Sequence, residues 1–142
     1  MTKDLEEGRK LKLDFTKLKK IQQNVQTDVV PVAVQDANTK DLLIIAYANE
    51  DALNYSVENG IAAFWSTSRN ELWVKGKTSG NTLEIKDILV NCEQNSLLYM
   101  VTPNKGGACH TKNQKGEARS TCYYRKINLD KPNELEFLGG LE

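Results

Sequence analysis

Neither sign of charge is in excess in this chain: 19 Lys and Arg meet 19 Asp and Glu over 142 residues. A general nucleic-acid binder carries a basic surplus, so that class loses weight. Long apolar runs are missing too. The longest, Leu42 to Ala48, is far short of the ~20 residues that span a bilayer. Residues 1–20 are charged and hold no apolar core of signal-peptide type. Cysteine occurs three times, an odd count in a chain too large to need a disulfide scaffold. Metal-binding or catalytic thiols in a soluble, cytoplasmic protein are therefore expected.

The chain also shows no internal repeat, low-complexity tract or linker, which argues for one domain. Residues 1–28 read as an extension, 29–127 as the main domain and 128–142 as a tail with few core residues. Residues 1–13 are charged and expected to be loosely ordered. Asp14 is placed to cap a helix to about Asn24, with Phe15, Leu18, Ile21 and Val25 as its apolar stripe. From Val29 the texture is β-rich. Val29–Val34 reads as a strand, with Pro31 suggesting an edge. Leu42–Ala48 reads as a buried strand. A short helix capped by Asn49 and ended by Gly60 follows. Further strands are expected at Ile61–Ser66, Leu72–Lys75, Thr82–Val90, Leu97–Val101 and Thr121–Ile127.

All three cysteines and the only histidine fall between Cys92 and Cys122. The spacings, 17 residues to Cys109 and 13 more to Cys122, exclude a Cys-x-x-Cys knuckle. Ligands so far apart must come from separate strands or loops, or from two subunits. Cys109 and His110 are neighbours, and in an extended segment their side chains face apart. The economical assignment is three thiolates on zinc with a fourth position open to water, and His110 nearby as general base. Two other readings stand beside it: a closed structural site that includes the imidazole, and inert buried thiols.

The segments around these residues resemble the phosphoribosyl-AMP cyclohydrolase family of histidine biosynthesis. Leu42–Gly60 is similar to the family's opening segment. Ala63–Gly80 (AFWSTSRNELWVKGKTSG) matches its most distinctive stretch, and Gly107–His110 (GACH) and Ser120–Arg125 (STCYYR) match its two cysteine motifs. The resemblance implies a β-rich α+β fold, small antiparallel sheets or an open barrel-like core with one or two short helices, in a homodimer. It implies zinc on Cys92, Cys109 and Cys122 drawn from both chains, and His110 in catalysis. The implied reaction is hydrolysis of the N1–C6 bond of 1-(5-phosphoribosyl)-AMP. Ser66, Ser68, Arg69, Trp73, Lys75, Gly76, Ser79 and Gly80 become candidates for substrate contact. Arg69 and Lys75 suit phosphate oxygens, and the two glycines suit backbone approach to an anion.

The chain departs from the family in two places. Where members carry aspartates that bind magnesium, it has Asn91, Glu93 and Asn95. A second metal is therefore expected to be weak or missing there, or to be calcium or a substrate-bridged magnesium. The loop from Thr111 to Thr121 also looks long. These departures leave two alternatives: a diverged zinc hydrolase of another purine nucleotide, and a non-enzymatic zinc or nucleotide-binding protein.

Overall fold

The computed structural model describes residues 2–142; Met1 of the expected extension lies outside them. The element order is α1 (Thr2–Glu7), α2 (Lys17–Asn24), β1 (Val30–Asp36), β2 (Leu42–Ala48), α3 (Glu50–Asn59), β3 (Ala63–Ser66), β4 (Glu71–Val74), β5 (Leu83–Val90), β6 (Leu97–Pro103), β7 (Arg125–Ile127) and β8 (Leu135–Phe137). The expected β-rich α+β architecture is what is found. Among the described residues no sheet closes into a barrel.

The main sheet has the order β2-β1-β6-β5, with β3-β4 and β7-β8 as separate two-stranded sheets. All pairs are antiparallel except β1–β6. Strand β1 is therefore internal, and Pro31 does not mark an edge. Its missing N–H is tolerated because the pairing with β6 begins only at Val32–Leu97, one residue later.

Val32, Val34, Leu43, Phe64, Leu83, Tyr99 and Val101 fill the core. Burying each of these larger side chains contributes ~1.5–3 kcal/mol. Phe64 joins two layers, stacking on Tyr99 at 5.6 Å and tilting against Trp73 at 5.5 Å. Helix α3 starts where Asn49 accepts from the Ala52 N–H at 2.9 Å and ends at Gly60 in the left-handed region. The buried Ser56 hydroxyl accepts from Ala63 N–H at 2.8 Å, fixing α3 to β3.

Both ends of the chain differ from expectation. The stripe on α2 is mostly uncovered: Ile21 is buried, but Phe15 and Leu18 are exposed. Thr16, with no side-chain cap bond, precedes this helix. The Asp14 carboxylate instead accepts from Thr16 N–H at 2.9 Å and from Lys20. Residues expected to be loose form α1, followed by a bridge from Lys10 to Glu134. The last strand is only three residues long, and the tail supplies its partner β8. Phe137 of β8 lies 6.0 Å from Tyr124 and under the guanidinium groups of Arg9, Arg119 and Arg125. These cation–aromatic contacts substitute for the apolar residues that the tail lacks.

Candidate active site

The hairpin β3–β4 and the loop after β6 form the two walls of a cleft of about 520 Å³. Arg69, Trp73, Lys75, Gly76 and Ser79 line one wall; Cys109 and His110 line the other. Segments that are far apart in sequence thus face one space. Gly76 makes the turn beneath Lys75. Its φ is +76°, and a Cβ there would meet the Asn81 carbonyl at 2.1 Å. Gly107 lets the other wall approach itself: a Cβ would lie 2.2 Å from the Arg119 carbonyl oxygen. The close pairing continues with Cys109 N–H donating to Arg119 O at 3.0 Å and Arg119 N–H to Thr111 O at 3.1 Å. The long 111–121 loop is thereby a narrow excursion, bridged at Lys112–Ala118 and turned at Gly116.

Cys109 and Cys122 are brought close enough for each thiol to alter the acidity of the other. The neighbouring Cys122 thiol holds the Cys109 thiol well below its usual range, at about 5; the Thr111 hydroxyl, 3.0 Å from the sulfur, acts in the same direction. The Cys122 thiol is pushed up by its proximity to Cys109. Lys75 stands beside both sulfurs. Burial lowers its pKa, opposed by the charges of Cys122 and Cys109.

Cys92 is not part of this group. It follows β5 at one edge of the main sheet, whereas Cys122 donates its N–H to Leu43 O of β2 at the other edge, at 2.8 Å. Three strand spacings, roughly 14 Å, separate the two edges. Among the described residues no three His, Cys, Asp or Glu side chains converge as a metal site. The donor set of one chain is thus two thiols, one already poised as thiolate. That fits half of a zinc tetrahedron and leaves room for a thiolate from elsewhere.

The other expected residues divide. Arg69 lines the cleft, with its Nε donating to Glu71 at 2.9 Å. Lys75 is only 6% exposed and its Nζ donates to Asn81 O at 3.1 Å, so it serves the thiols and the turn more than an open phosphate site. Ser66 and Ser68 lie in a neighbouring recess with Trp65, and the Ser66 hydroxyl accepts from Arg69 N–H at 3.2 Å. Gly80 does not line the cleft, and its N–H already donates to Gly76 O at 2.8 Å; the expected backbone donor for an anion is taken. Trp73 both packs on the core and lines the cleft. Sequence reasoning missed Lys77 and Lys112, which also face the cleft, and Thr111 beside the thiol pair. Lysines in polar loops carry no local signal of what they face.

The turn holding Asn91, Glu93 and Asn95 is bonded within itself. Asn91 Oδ1 accepts from the N–H groups of Asn95 and Ser96, both at 2.9 Å, and Asn91 Nδ2 donates to Asn95 Oδ1 at 2.6 Å. Both amide oxygens are engaged in the turn, and Glu93 is the only carboxylate of the three.

Among the described residues no helix is long and apolar enough to cross a membrane. Comparison with known proteins gives a consistent result. The phosphoribosyl-AMP cyclohydrolase family model matches residues 44–124. A phosphoribosyl-AMP cyclohydrolase of Archaeoglobus fulgidus is 43% identical over 102 residues, covering 72% of this chain and 88% of that protein. One from Nitrosopumilus maritimus is 52% identical over 83 residues, covering 58% and 76%. The histidine biosynthesis bifunctional protein HisIE of Caldanaerobacter subterraneus is 40% identical over 113 residues, covering 80% of this chain and 52% of that protein. The match takes in the hairpin, both thiols of the pair and His110, and the chain belongs to the phosphoribosyl-AMP cyclohydrolase family.

Proposed function

We propose that this protein is the phosphoribosyl-AMP cyclohydrolase of a histidine-biosynthesis pathway, acting as a homodimer with zinc at each shared site. The observation that carries the reading is the cleft in which Arg69, Trp73, Lys77 and Lys112 face the Cys109–Cys122 pair and His110. The substrate has two phosphorylated riboses and a purine. A cleft lined by four cations, Lys75 included, and one carboxylate, Glu71, suits that charge. The indole of Trp73 offers the purine a stacking face.

Cys109 and Cys122 would hold the metal from one chain and Cys92 from the second. Zinc so bound would acidify a water and polarise the ring carbon under attack. Exposed apolar side chains at Leu42, Ile45, Leu72, Leu89 and Val90 leave surface for the second chain, and Leu89 and Val90 directly precede the Cys92 turn.

The remaining roles belong to this chain's residues. Arg69, Lys77 and Lys112 anchor phosphate oxygens, and Trp73 orients the ring. Water oxygen adds at C6, the N1–C6 bond breaks, and N1 leaves with a proton. His110 takes the proton of the attacking water and returns one at N1. Lys75 stabilises the thiolates electrostatically beneath the cleft. Turnover of phosphoribosyl-AMP by the purified zinc-loaded protein, followed by absorbance beside AMP and other purine nucleotides, tests the reading. Ring opening confined to phosphoribosyl-AMP and lost on chelation supports it. Turnover of a different nucleotide, or tight binding without turnover, overturns it.

A further inference from the structure

We propose that Glu6, on helix α1 outside the family-matched residues, is a positioning residue for His110. The proposal rests on the reading of His110 as the base. The imidazole is 79% exposed, and its recorded side-chain partner is Glu6, whose Oε2 lies 2.6 Å from Nε2. An exposed ring of this kind rotates freely unless something holds it. A carboxylate is an acceptor only, so in the neutral ring it places the proton on Nε2 and leaves Nδ1 as the free base. It also fixes the plane of the ring, as the carboxylate of a Ser-His-Asp triad does for its histidine.

Glu6 is itself held in place by groups that belong to the site. Tyr124 Oη donates to the Glu6 carbonyl at 2.7 Å. Arg125 donates to the carbonyls of Leu5 at 3.0 Å and Gly8 at 2.8 Å. The neighbouring Glu7 takes a two-pronged bond from Arg119 at 2.7 and 2.8 Å. Arg119 in turn donates to the Thr111 hydroxyl at 3.0 Å, which lies 3.0 Å from Cys109 Sγ. Helix α1 is therefore fastened to the two segments that carry the thiol pair, and Glu6 reaches His110 from a frame set by those thiols. Docking of the helix is the work of Glu7 and of backbone carbonyls. The Glu6 carboxylate is not needed for it, so the roles separate by mutation.

The test uses the full zinc-loaded chain and the variants Glu6→Ala, Glu6→Asp, His110→Ala and the Glu6→Ala/His110→Ala pair. Glu6→Ala should lower kcat about tenfold, a part of the ~10²–10⁴-fold that a general base contributes, with KM within about twofold and zinc retained. Glu6→Asp should recover part of the loss. In the His110→Ala background Glu6→Ala should cost nothing further. His110 is the only histidine, so nitrogen NMR of histidine-labelled protein in alkaline solution reads its tautomer directly. The wild type should show the Nε2–H form and Glu6→Ala a mixture. An unchanged kcat in Glu6→Ala beside a crippled His110→Ala overturns the role of Glu6 alone. Unchanged ring-nitrogen signals in Glu6→Ala also overturn it. A fully active His110→Ala overturns the reading of the base, and the proposal with it.

Discussion

Cys109 and Cys122 lie close together, and their proximity drives the acidities of the two thiols apart. Cys109 is drawn down to about 5 from an ordinary thiol value of about 9, while Cys122 is raised. Between these limits the unfolded metal-free chain keeps a proton on Cys109 that the folded chain has released. Stability from Cys109 is therefore fully present near pH 9 and lost as pH falls through 5. Above 9 the raised Cys122 acts oppositely, because the unfolded thiol ionises first. The thermal midpoint of the metal-free protein should thus climb from pH 5 to 9, and its slope should flatten in Cys109→Ala. A parallel slope in the two proteins would show that the thiol pair is not divided in this way.

His110→Ala should lose ~10²–10⁴-fold in kcat and keep its zinc. The ring stands exposed on Glu6 and not with the paired sulfurs. Metal analysis alongside kinetics checks this. Zinc lost in proportion to activity would make the histidine a ligand.

Arg119 is buried at 2% exposure, whereas its partner Glu7 is partly in solvent. The two truncations are therefore unequal. Glu7→Ala leaves the buried guanidinium only Thr111 Oγ1 and Leu141 O as hydrogen-bond acceptors, beside the Tyr124 and Phe137 rings. It should cost about 2–4 kcal/mol, the range for breaking a buried pair discounted for the wet side of this one. Arg119→Met, which keeps the packing volume and frees Glu7 to water, should cost less, about 1–2 kcal/mol. Denaturant midpoints rank them, and the reverse order would refute the argument.

Much of this was legible in the sequence and some was not. Asn49 and Gly60 mark the ends of α3 through local chemistry, a side-chain cap and a left-handed residue, so the pattern alone finds them. Pro31 misleads because its tolerance depends on where β6 begins pairing, which no local window contains. Helix α1 offers no apolar stripe. It is held by Arg119, Tyr124 and Arg125, more than a hundred residues away. The cluster of thiols was visible as composition. That two of them meet while Cys92 sits at the opposite sheet edge follows from strand order, which spacing does not encode.

The turn at Asn91–Asn95 is closed by its own amides, so magnesium should do little there. Titration of zinc-loaded protein to millimolar magnesium, and separately Glu93→Gln, should each change kcat/KM by less than about twofold. A steep rise at micromolar magnesium that Glu93→Gln abolishes would mean that the amides do ligate the ion.

The proposed zinc site is assembled from Cys109 and Cys122 of one chain and Cys92 of another. Mixing inactive Cys92→Ser with inactive Cys109→Ser protein, after dissociation and reassociation, measures that claim most directly. Half of the dimers become mixed, and each mixed dimer carries one intact site. About a quarter of wild-type activity and zinc should return if the dimer is symmetric. Recovery absent from properly mixed dimers, or a Cys92→Ser protein that is fully active alone, would contradict it.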